Sequence, residues 1–172
     1  MSATLDPPTT ARLDFDALYR DARDDVYAYV VALLRSRSAA EDVTAQAFER
    51  AFRKVRGYDP RKGGPRAWLF GIARNAALDE LRRGKRVASL VAEPTDARAA
   101  TEDEAERAIR RAAVRNALAQ LPPRDREIVA LKFYAGLDNA EIAEVVGTSV
   151  SNAGTQLHRA MTKLRKALDD RS

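Results

Sequence analysis

Cysteine is absent from this chain of 172 residues, which also has one histidine and two methionines. Without cysteine the protein can form no disulfide, thiol nucleophile or cysteine-bound zinc site. Because no second imidazole is available beside His158, we expect neither a metal nor another cofactor. No apolar run approaches the roughly 20 residues of a membrane span, and residues 1–10 do not resemble a signal peptide. We therefore expect a cytoplasmic protein without membrane insertion.

The chain also lacks segments in which apolar and polar residues alternate, as they do along a half-buried strand. Apolar residues recur instead at helical spacing, first between Phe15 and Leu34 and last between Val150 and Leu168. Hydrophobic residues make up 45% of the chain, which suffices for a core. We predict an all-α fold of two small helical domains joined by a flexible linker.

Charge is distributed in blocks that favour polyanion binding. The net charge is +5, and residues 61–86 contain eight Lys or Arg against two acids. Residues 87–107 contain six acids against two bases, whereas residues 108–172 are basic again. Two cationic blocks around an acidic segment suggest two polyanion-binding modules on a linker. We predict a disordered tail at 1–9, a helical domain at 10–86, a linker at 87–107 and a second domain at 108–172.

The only tryptophan lies near the start of a predicted helix that ends near Gly84 and continues into cations. A Gly- and Pro-rich loop, residues 57–65, precedes this helix. An exposed edge of Trp68 can stack on a nucleic-acid base, and the loop beside it can receive a base extruded from the double helix. Alternatively, Trp68 belongs to the core and the cations form a solvated helix end favoured by the helix dipole.

A helix with two acids in its first turn follows a predicted capping box formed by Ser38 and Glu41. Its predicted inward residues are Val43, Phe48, Ala51, Phe52 and Val55. One interpretation is that this face binds a protein partner through Glu41, Asp42 and Gln46. The alternative is that the two acids only balance the helix dipole. No nucleophile or phosphate-binding loop accompanies these carboxylates, so we predict that the protein is not an enzyme.

The C-terminal segment has the pattern of a helix-turn-helix. Pro123 suits the first position of one helix, and a capping box from Asp138 to Glu141 opens the next. Gly147 begins a tight turn before the last helix. The predicted buried stripe of that helix is Val150, Ala153, Leu157, Ala160, Met161, Leu164 and Leu168. The opposite face is polar, so it suits either base edges and phosphates or plain solvent exposure.

Three blocks in this order resemble bacterial sigma factors of the extracytoplasmic-function (ECF) group. Residues 40–48 are similar to the polymerase-binding helix of sigma region 2, and residues 67–83 to its promoter-melting, −10-reading helix. Residues 121–127, with two later blocks at 140–143 and 157–160, are similar to region 4, which reads the −35 element. The resemblance implies a transcription factor that binds core RNA polymerase, recognises both promoter elements, melts DNA and so directs initiation.

The resemblance also implies contact residues for each partner. At the −10 element these are Tyr58, Trp68, Arg74, Asn75, Arg82, Arg83, Lys85 and Arg86. At the −35 element they are Ser149, Ser151, Asn152, Thr155, Gln156, His158, Arg159 and Lys163. For core polymerase they are Glu41, Asp42, Gln46, Phe48 and Glu49. An anti-sigma factor is a further expected partner. Asn152, Gly154 and Gln156 stand where the family often has Thr and cations, which predicts weaker duplex binding.

Two other functions compete with this interpretation. A helix-turn-helix repressor whose N-terminal domain dimerises would form a stable dimer and bind a palindromic duplex without polymerase. A helical adaptor protein without a role on DNA would show no salt-dependent binding to nucleic acid.

Overall fold

The computed structural model describes residues 12–84 and 101–171, which form seven α-helices and no strand. The all-α prediction is therefore confirmed. The predicted tail at 1–9, residues 87–100 of the predicted linker, and the predicted contact residues Lys85 and Arg86 lie outside the described residues. The helices are α1 (Phe15–Leu34), α2 (Arg37–Lys54), α3 (Pro65–Gly84), α4 (Glu102–Gln120), α5 (Pro123–Phe133), α6 (Asn139–Val146) and α7 (Val150–Asp169). A 3₁₀ turn, Val55–Gly57, follows α2.

Helices α1, α2 and α3 form the first module, which is built around aromatic and aliphatic side chains. Tyr29 of α1 and Phe70 of α3 are completely buried, and their rings meet edge to face with centroids 5.4 Å apart. Val26, Val43 and Leu69 are completely buried in the same hydrophobic cluster. Each helix thus buries one apolar stripe against the other two, as an amphipathic helix requires.

The start of α2 differs from the predicted capping box. Arg35 adopts a left-handed conformation (φ 57°) that ends α1, and Ser36 follows in an extended conformation. The Ser36 hydroxyl accepts a hydrogen bond from the Ala39 amide at 3.3 Å. Because Ser36 is the first residue after the bend whose backbone suits a cap, it replaces the predicted Ser38, which lies inside the helix.

Helices α4 to α7 form the second module, and their termini largely follow the predicted signals. Thr101 and Glu104 make a capping box at the start of α4, so residues 102–107 of the predicted linker are helical. Pro123 occupies the first turn of α5, as predicted. The predicted Asp138–Glu141 capping box is confirmed, and Gly147 ends α6 with a φ of 75°, a conformation that favours glycine.

Two apolar residues that were expected to face inward are exposed. Phe52 is 64% exposed and Val150 is 54% exposed. Phe52 flanks the stripe through which α2 contacts the core, and only the edge of its ring meets Phe15, with centroids 5.4 Å apart. Val150 is the first residue of α7, where no preceding turn covers it. Helical spacing placed these residues beside the buried stripes, but neighbouring helices do not reach them.

The two modules pack directly on each other, although the sequence suggested separate units. Helix α1 contacts α5, and α3 contacts α6. Buried residues of both modules form one hydrophobic cluster, with Val30 and Leu131 among its members. Among the described residues no helix combines the length and the apolar character that crossing a bilayer requires. The packing brings the Trp68 helix and the helix-turn-helix together at one side of the molecule.

Candidate nucleic-acid interface

The polar face of α7 is open to solvent. Ala153, Ala160 and Leu164 turn inward, which orients the other face outward. Ser149 caps the helix by accepting a hydrogen bond from the Asn152 amide at 3.1 Å. The predicted −35 residues on the exposed side are Ser149, Ser151, Asn152, Thr155, His158, Arg159 and Lys163, and Gln156 is half-buried. The structure therefore brings this predicted set together on one accessible surface.

Two details modify this surface. The Lys163 ammonium group lies 2.5 Å from the Asp125 carboxylate of α5, so its charge is partly balanced within the protein. Gly154 lies where α7 meets α6, because a Cβ atom built on it would be 3.5 Å from Asn139 Nδ2. This glycine therefore faces α6 of its own protein.

Beside Trp68 lies a pocket of about 480 Å³, formed by the loop after α2 and one side of α3. Its lining includes Gly57, Tyr58, Asp59, Lys62, Gly63, Ala67, Trp68, Gly71, Ile72 and Asn75. The rings of Tyr58 and Trp68 are tilted against each other with centroids 5.3 Å apart. Trp68 also packs on the core but remains half-exposed. One side of Trp68 therefore belongs to the core, and the other side lines the pocket.

Hydrogen bonds hold the pocket loop in one conformation. The Tyr58 hydroxyl donates to the Gly63 carbonyl at 2.9 Å. Burial, followed by the nearby Asp59 carboxylate, raises the pKa of Tyr58. The Arg61 amide and side chain both donate to Asp59, and these bonds lower the pKa of the Asp59 carboxyl. The loop is therefore shaped before any ligand arrives.

The cations of α3 divide into two groups. Arg82 and Arg83 are exposed near the helix C-terminus and contact the acids of their own helix, Arg82 at 3.4 Å from Asp79. Arg74 instead turns toward the second module, where its Nε donates to Glu127 Oε1. Asn75 is exposed and lines the pocket. Three of the predicted −10 residues, Tyr58, Trp68 and Asn75, therefore line the pocket. Arg74 is hydrogen-bonded to Glu127 instead.

The predicted polymerase-binding residues form an acidic ridge on α2. Glu41, Asp42 and Glu49 are exposed and Gln46 is half-buried. Phe48 is only 7% exposed, because its ring packs against Tyr19 with centroids 4.8 Å apart. Phe48 therefore shapes the core beneath the ridge, and its predicted place on the binding surface needs correction.

Sequence reasoning missed Glu127 and Tyr29. The Tyr29 hydroxyl donates to Glu127 Oε1 at 3.1 Å, and Glu127 is nearly buried between Tyr29 and Arg74. Tyr29 looked like an ordinary core residue, and Glu127 like a surface charge near the start of α5. The available signal was weak: Glu127 directly precedes the apolar run 128–131, where an acid is buried only with a partner.

Comparisons with known proteins match both modules. Residues 18–87 match the family described as sigma-70 region 2, and residues 111–164 match sigma-70, region 4. The chain is 31% identical over 157 residues to the ECF RNA polymerase sigma factor SigL of Mycobacterium tuberculosis, covering 90% of this chain and 88% of SigL. This chain belongs to the ECF sigma factors. Helices α1–α3 therefore correspond to region 2, and the region 4 match begins within α4 and ends within α7.

Other ECF sigma factors support the same assignment. BldN of Streptomyces coelicolor is 32% identical over 160 residues, but 91% of this chain spans only 61% of that longer protein. The structure of the sigma factor RpoE, solved with the anti-sigma factor NepR from Bartonella quintana, has the same fold. Its TM-score is 0.71 at 21% identity, covering 91% of this chain and 97% of that one. CnrH, solved with the cytosolic domain of CnrY, has a TM-score of 0.67 at 25% identity, covering 92% and 89%.

In the described residues of this ECF sigma factor, no group of three or more His, Asp or Glu side chains is arranged to hold a metal ion. The candidate interface offers hydrogen-bonding groups, aromatic rings and charged side chains. These are the means by which proteins read duplex and single-stranded DNA.

Proposed function

We propose that this ECF sigma factor binds core RNA polymerase in the cytoplasm and directs it to promoters. Region 4 reads the −35 duplex, and region 2 opens the duplex and holds the −10 strand. One observation carries the proposal: a chain of this family presents both a solvent-facing polar recognition helix and an aromatic pocket of base-binding size. The surfaces differ in shape as their DNA targets differ, because a helix fits the major groove and a pocket fits an extruded base.

The −35 contact is made by the first turns of α7, after the α6–Gly147 turn. Asn152 and Gln156 have side-chain amides that can pair bidentately with adenine, and Arg159 can do the same with guanine. The Ser149 cap orients the helix N-terminus, whose free amides and dipole favour a phosphate. Since Lys163 is already paired with Asp125, it contributes less to phosphate binding than an unpaired lysine would.

The −10 contact is made in the pocket. A base leaving the duplex loses stacking worth a few kcal/mol, and stacking on an aromatic ring returns about 1–3 kcal/mol. Trp68 supplies that ring, and the Asn75 amide can hydrogen-bond the edge of the same base. Arg82 and Arg83, exposed at the end of α3, lie where the following phosphates can pass.

The acidic ridge of α2 suits a basic surface on core polymerase. Glu41, Asp42 and Glu49 place three exposed carboxylates on one face of α2, although Glu49 is paired with Arg53 at 2.6 Å. Charge on one face favours a defined docking orientation. Two structures of similar fold are complexes with an anti-sigma factor or a cytosolic partner domain. We include an anti-sigma factor among the partners of this chain on that basis.

Run-off transcription with core polymerase and fragmented genomic DNA of the source organism tests the function. With the chain added, 5′-end sequencing of the RNA should show new start sites that share two upstream sequence elements. Start sites identical with and without the chain would refute the proposal. A free chain that is a stable dimer and binds palindromic duplex without polymerase would identify a repressor instead.

Asp42→Lys tests the polymerase-binding ridge. Reversing this exposed charge should weaken binding to core polymerase at least about tenfold, since like charges facing each other at an interface cost several kcal/mol. The matched control is Asp24→Lys on α1, whose side chain is 94% exposed outside the ridge. Equal affinity of both variants, measured by fluorescence anisotropy with labelled chain, would remove Asp42 from the interface.

Asn75→Ala tests the pocket. The variant should lower promoter opening, measured by permanganate reactivity of unpaired thymines, by about fivefold to tenfold, as the loss of one base-reading hydrogen bond predicts. The loss should depend on the base at one −10 position, while −35 footprints stay unchanged. An equal loss on every −10 sequence would show that Asn75 does not read a base.

A further inference from the structure

The helix-turn-helix of region 4 is poor in positive charge. Residues 133–158 include no Lys or Arg but contain the acids Asp138, Glu141 and Glu144. Helix α6, the turn at Gly147 and the first turns of α7 all lie in this segment. Contacts of Lys and Arg to phosphates supply essentially all of the sequence-independent affinity of a protein for DNA. This unit therefore offers groups that can read bases but few that can hold the backbone.

The cations of α7 begin at Arg159, and two of them lie on its reading face. Four side chains share that face because they recur at helical spacing, namely Asn152, Gln156, Arg159 and Lys163. Arg159 is exposed, whereas the Lys163 ammonium group lies 2.5 Å from the Asp125 carboxylate of α5. The second cation of this face is therefore already neutralised within the protein.

The ion pair forms where α5 packs on α7. Asp125 lies in the first turn of α5, where the helix dipole favours an acid, but the dipole would equally favour a carboxylate that points to solvent. The Asp125 side chain is instead only 16% exposed, against 53% for Lys163. A largely buried carboxylate requires a partner, and the partner of Asp125 comes from the face of α7 that is open to DNA.

We propose that Asp125 sets the duplex affinity of this sigma factor by neutralising Lys163. Region 4 then distinguishes bases through Asn152, Gln156 and Arg159 but holds no duplex strongly by itself. Because a genome offers about 10⁶–10⁹ competing non-specific sites, a weak hold on the backbone keeps the free chain available to core polymerase. The inference rests on the proposed function, since it takes α7 as the −35 helix.

The size of the effect follows from the salt dependence of phosphate contacts. Each contact to duplex DNA steepens the slope of log K against log salt by about 0.9. Because such a contact is worth little near 1 M salt, a released Lys163 should raise the affinity for any duplex about fivefold to tenfold at about 0.1 M salt. A contact to a base would instead raise the affinity for particular sequences only.

Binding of the full chain to a fluorescein-labelled pool of random duplexes, about 20 base pairs long, tests the role of Asp125. Fluorescence anisotropy over a range of salt concentrations gives both affinity and slope. Asp125→Asn should bind about fivefold to tenfold more tightly than the wild type at about 0.1 M salt, with a slope steeper by about 0.9. Asp169→Asn is the matched control, because it removes an exposed carboxylate from another side of α7. It should change the affinity less than about twofold.

Two further variants separate Lys163 from the general charge of the protein. Adding Lys163→Gln to Asp125→Asn should abolish the gain in affinity and the steeper slope, since the released cation is then absent. Asp125→Ala should show the same gain as Asp125→Asn, because alanine favours the helix and leaves no acceptor for the ammonium group. A gain that persists without Lys163 would overturn the proposal, since the net charge alone would then explain it.

Run-off transcription with competitor DNA tests the consequence for polymerase. Core polymerase and a limiting amount of the chain are mixed with increasing amounts of a promoter-free DNA fragment before a mapped promoter is added. Half-inhibition with Asp125→Asn should require about fivefold to tenfold less competitor than with the wild type, as the affinity ratio predicts. Equal sensitivity of the two proteins would show that Asp125 does not keep the chain available to polymerase.

The outcomes for Asp125 and for the sigma function are distinct. If Asp125→Asn binds duplex no more tightly than Asp169→Asn, the role of Asp125 is overturned, while new start sites in run-off transcription still support polymerase-directed initiation. If no start sites arise but the gain for Asp125→Asn is present, the proposed function fails instead. Asp125 would then limit duplex binding by a protein that acts without polymerase.

Discussion

Replacing Tyr29 with phenylalanine removes one buried hydroxyl from the contact between regions 2 and 4 and leaves the ring in place. Tyr29 is completely buried, and its hydroxyl donates to Glu127 Oε1 at 3.1 Å. Phenylalanine keeps the edge-to-face contact with Phe70. A hydrogen bond to a charged group contributes about 1.5–3 kcal/mol. Because Arg74 still pairs with Glu127, we expect a loss near the lower end, about 2 kcal/mol in the free energy of unfolding.

The same substitution should change how stability depends on pH. Burial, and secondly the charge of Glu127, raise the pKa of Tyr29 well above 10.0. A raised pKa in the folded state gives stability that is complete below the unfolded pKa and is lost as pH rises above it. The advantage of the wild type over Tyr29→Phe should therefore be full at pH 7. It should narrow by about 1 kcal/mol between pH 10 and pH 11.

Urea unfolding followed by far-ultraviolet circular dichroism measures both effects. Tyr19→Phe is the matched control, because Tyr19 is 40% exposed, and it should change stability by less than about 0.5 kcal/mol. Burial also raises the pKa of Tyr134, but that group is common to all three proteins and cancels. Equal stability of wild type and Tyr29→Phe at pH 7, or parallel pH profiles, would refute the reasoning.

Two further substitutions test α7. Gly154→Ala should raise the free energy of unfolding by about 0.5–1 kcal/mol, because Ala is the better helix former. The added Cβ would make an ordinary 3.5 Å contact with Asn139. Thermal unfolding measures the change, and a lower midpoint than that of the wild type would contradict this prediction. Arg159→Ala should weaken binding to the −35 element by about 1–3 kcal/mol and should reduce the preference for the base at one position. Band-shift competition with single-base variants of a mapped promoter measures both effects. Equally weakened binding to every variant would contradict a base contact by Arg159.

Local patterns in the sequence predicted the helical fold and much of the candidate site. The Asp138–Glu141 box, the Pro123 start and the Gly147 turn each act within a few residues, so their effect does not depend on the rest of the chain. The polar face of α7 was predictable for a similar reason, because the spacing of its apolar stripe determines which side chains point away. The resemblance of the sequence blocks to the ECF group supplied the roles of those residues.

Only the tertiary structure decided which surfaces meet. Helical periodicity shows that a face is apolar but not which helix covers it, so the exposure of Phe52 could not be read from spacing. Glu127 meets Arg74 and Tyr29 across 53 and 98 positions of sequence, and no local rule couples residues that far apart. The sequence alone determined the helices and their chemistry. The packing of region 4 on region 2 determined that Arg74 faces a carboxylate, because burial of apolar surface is non-directional and depends on the whole fold.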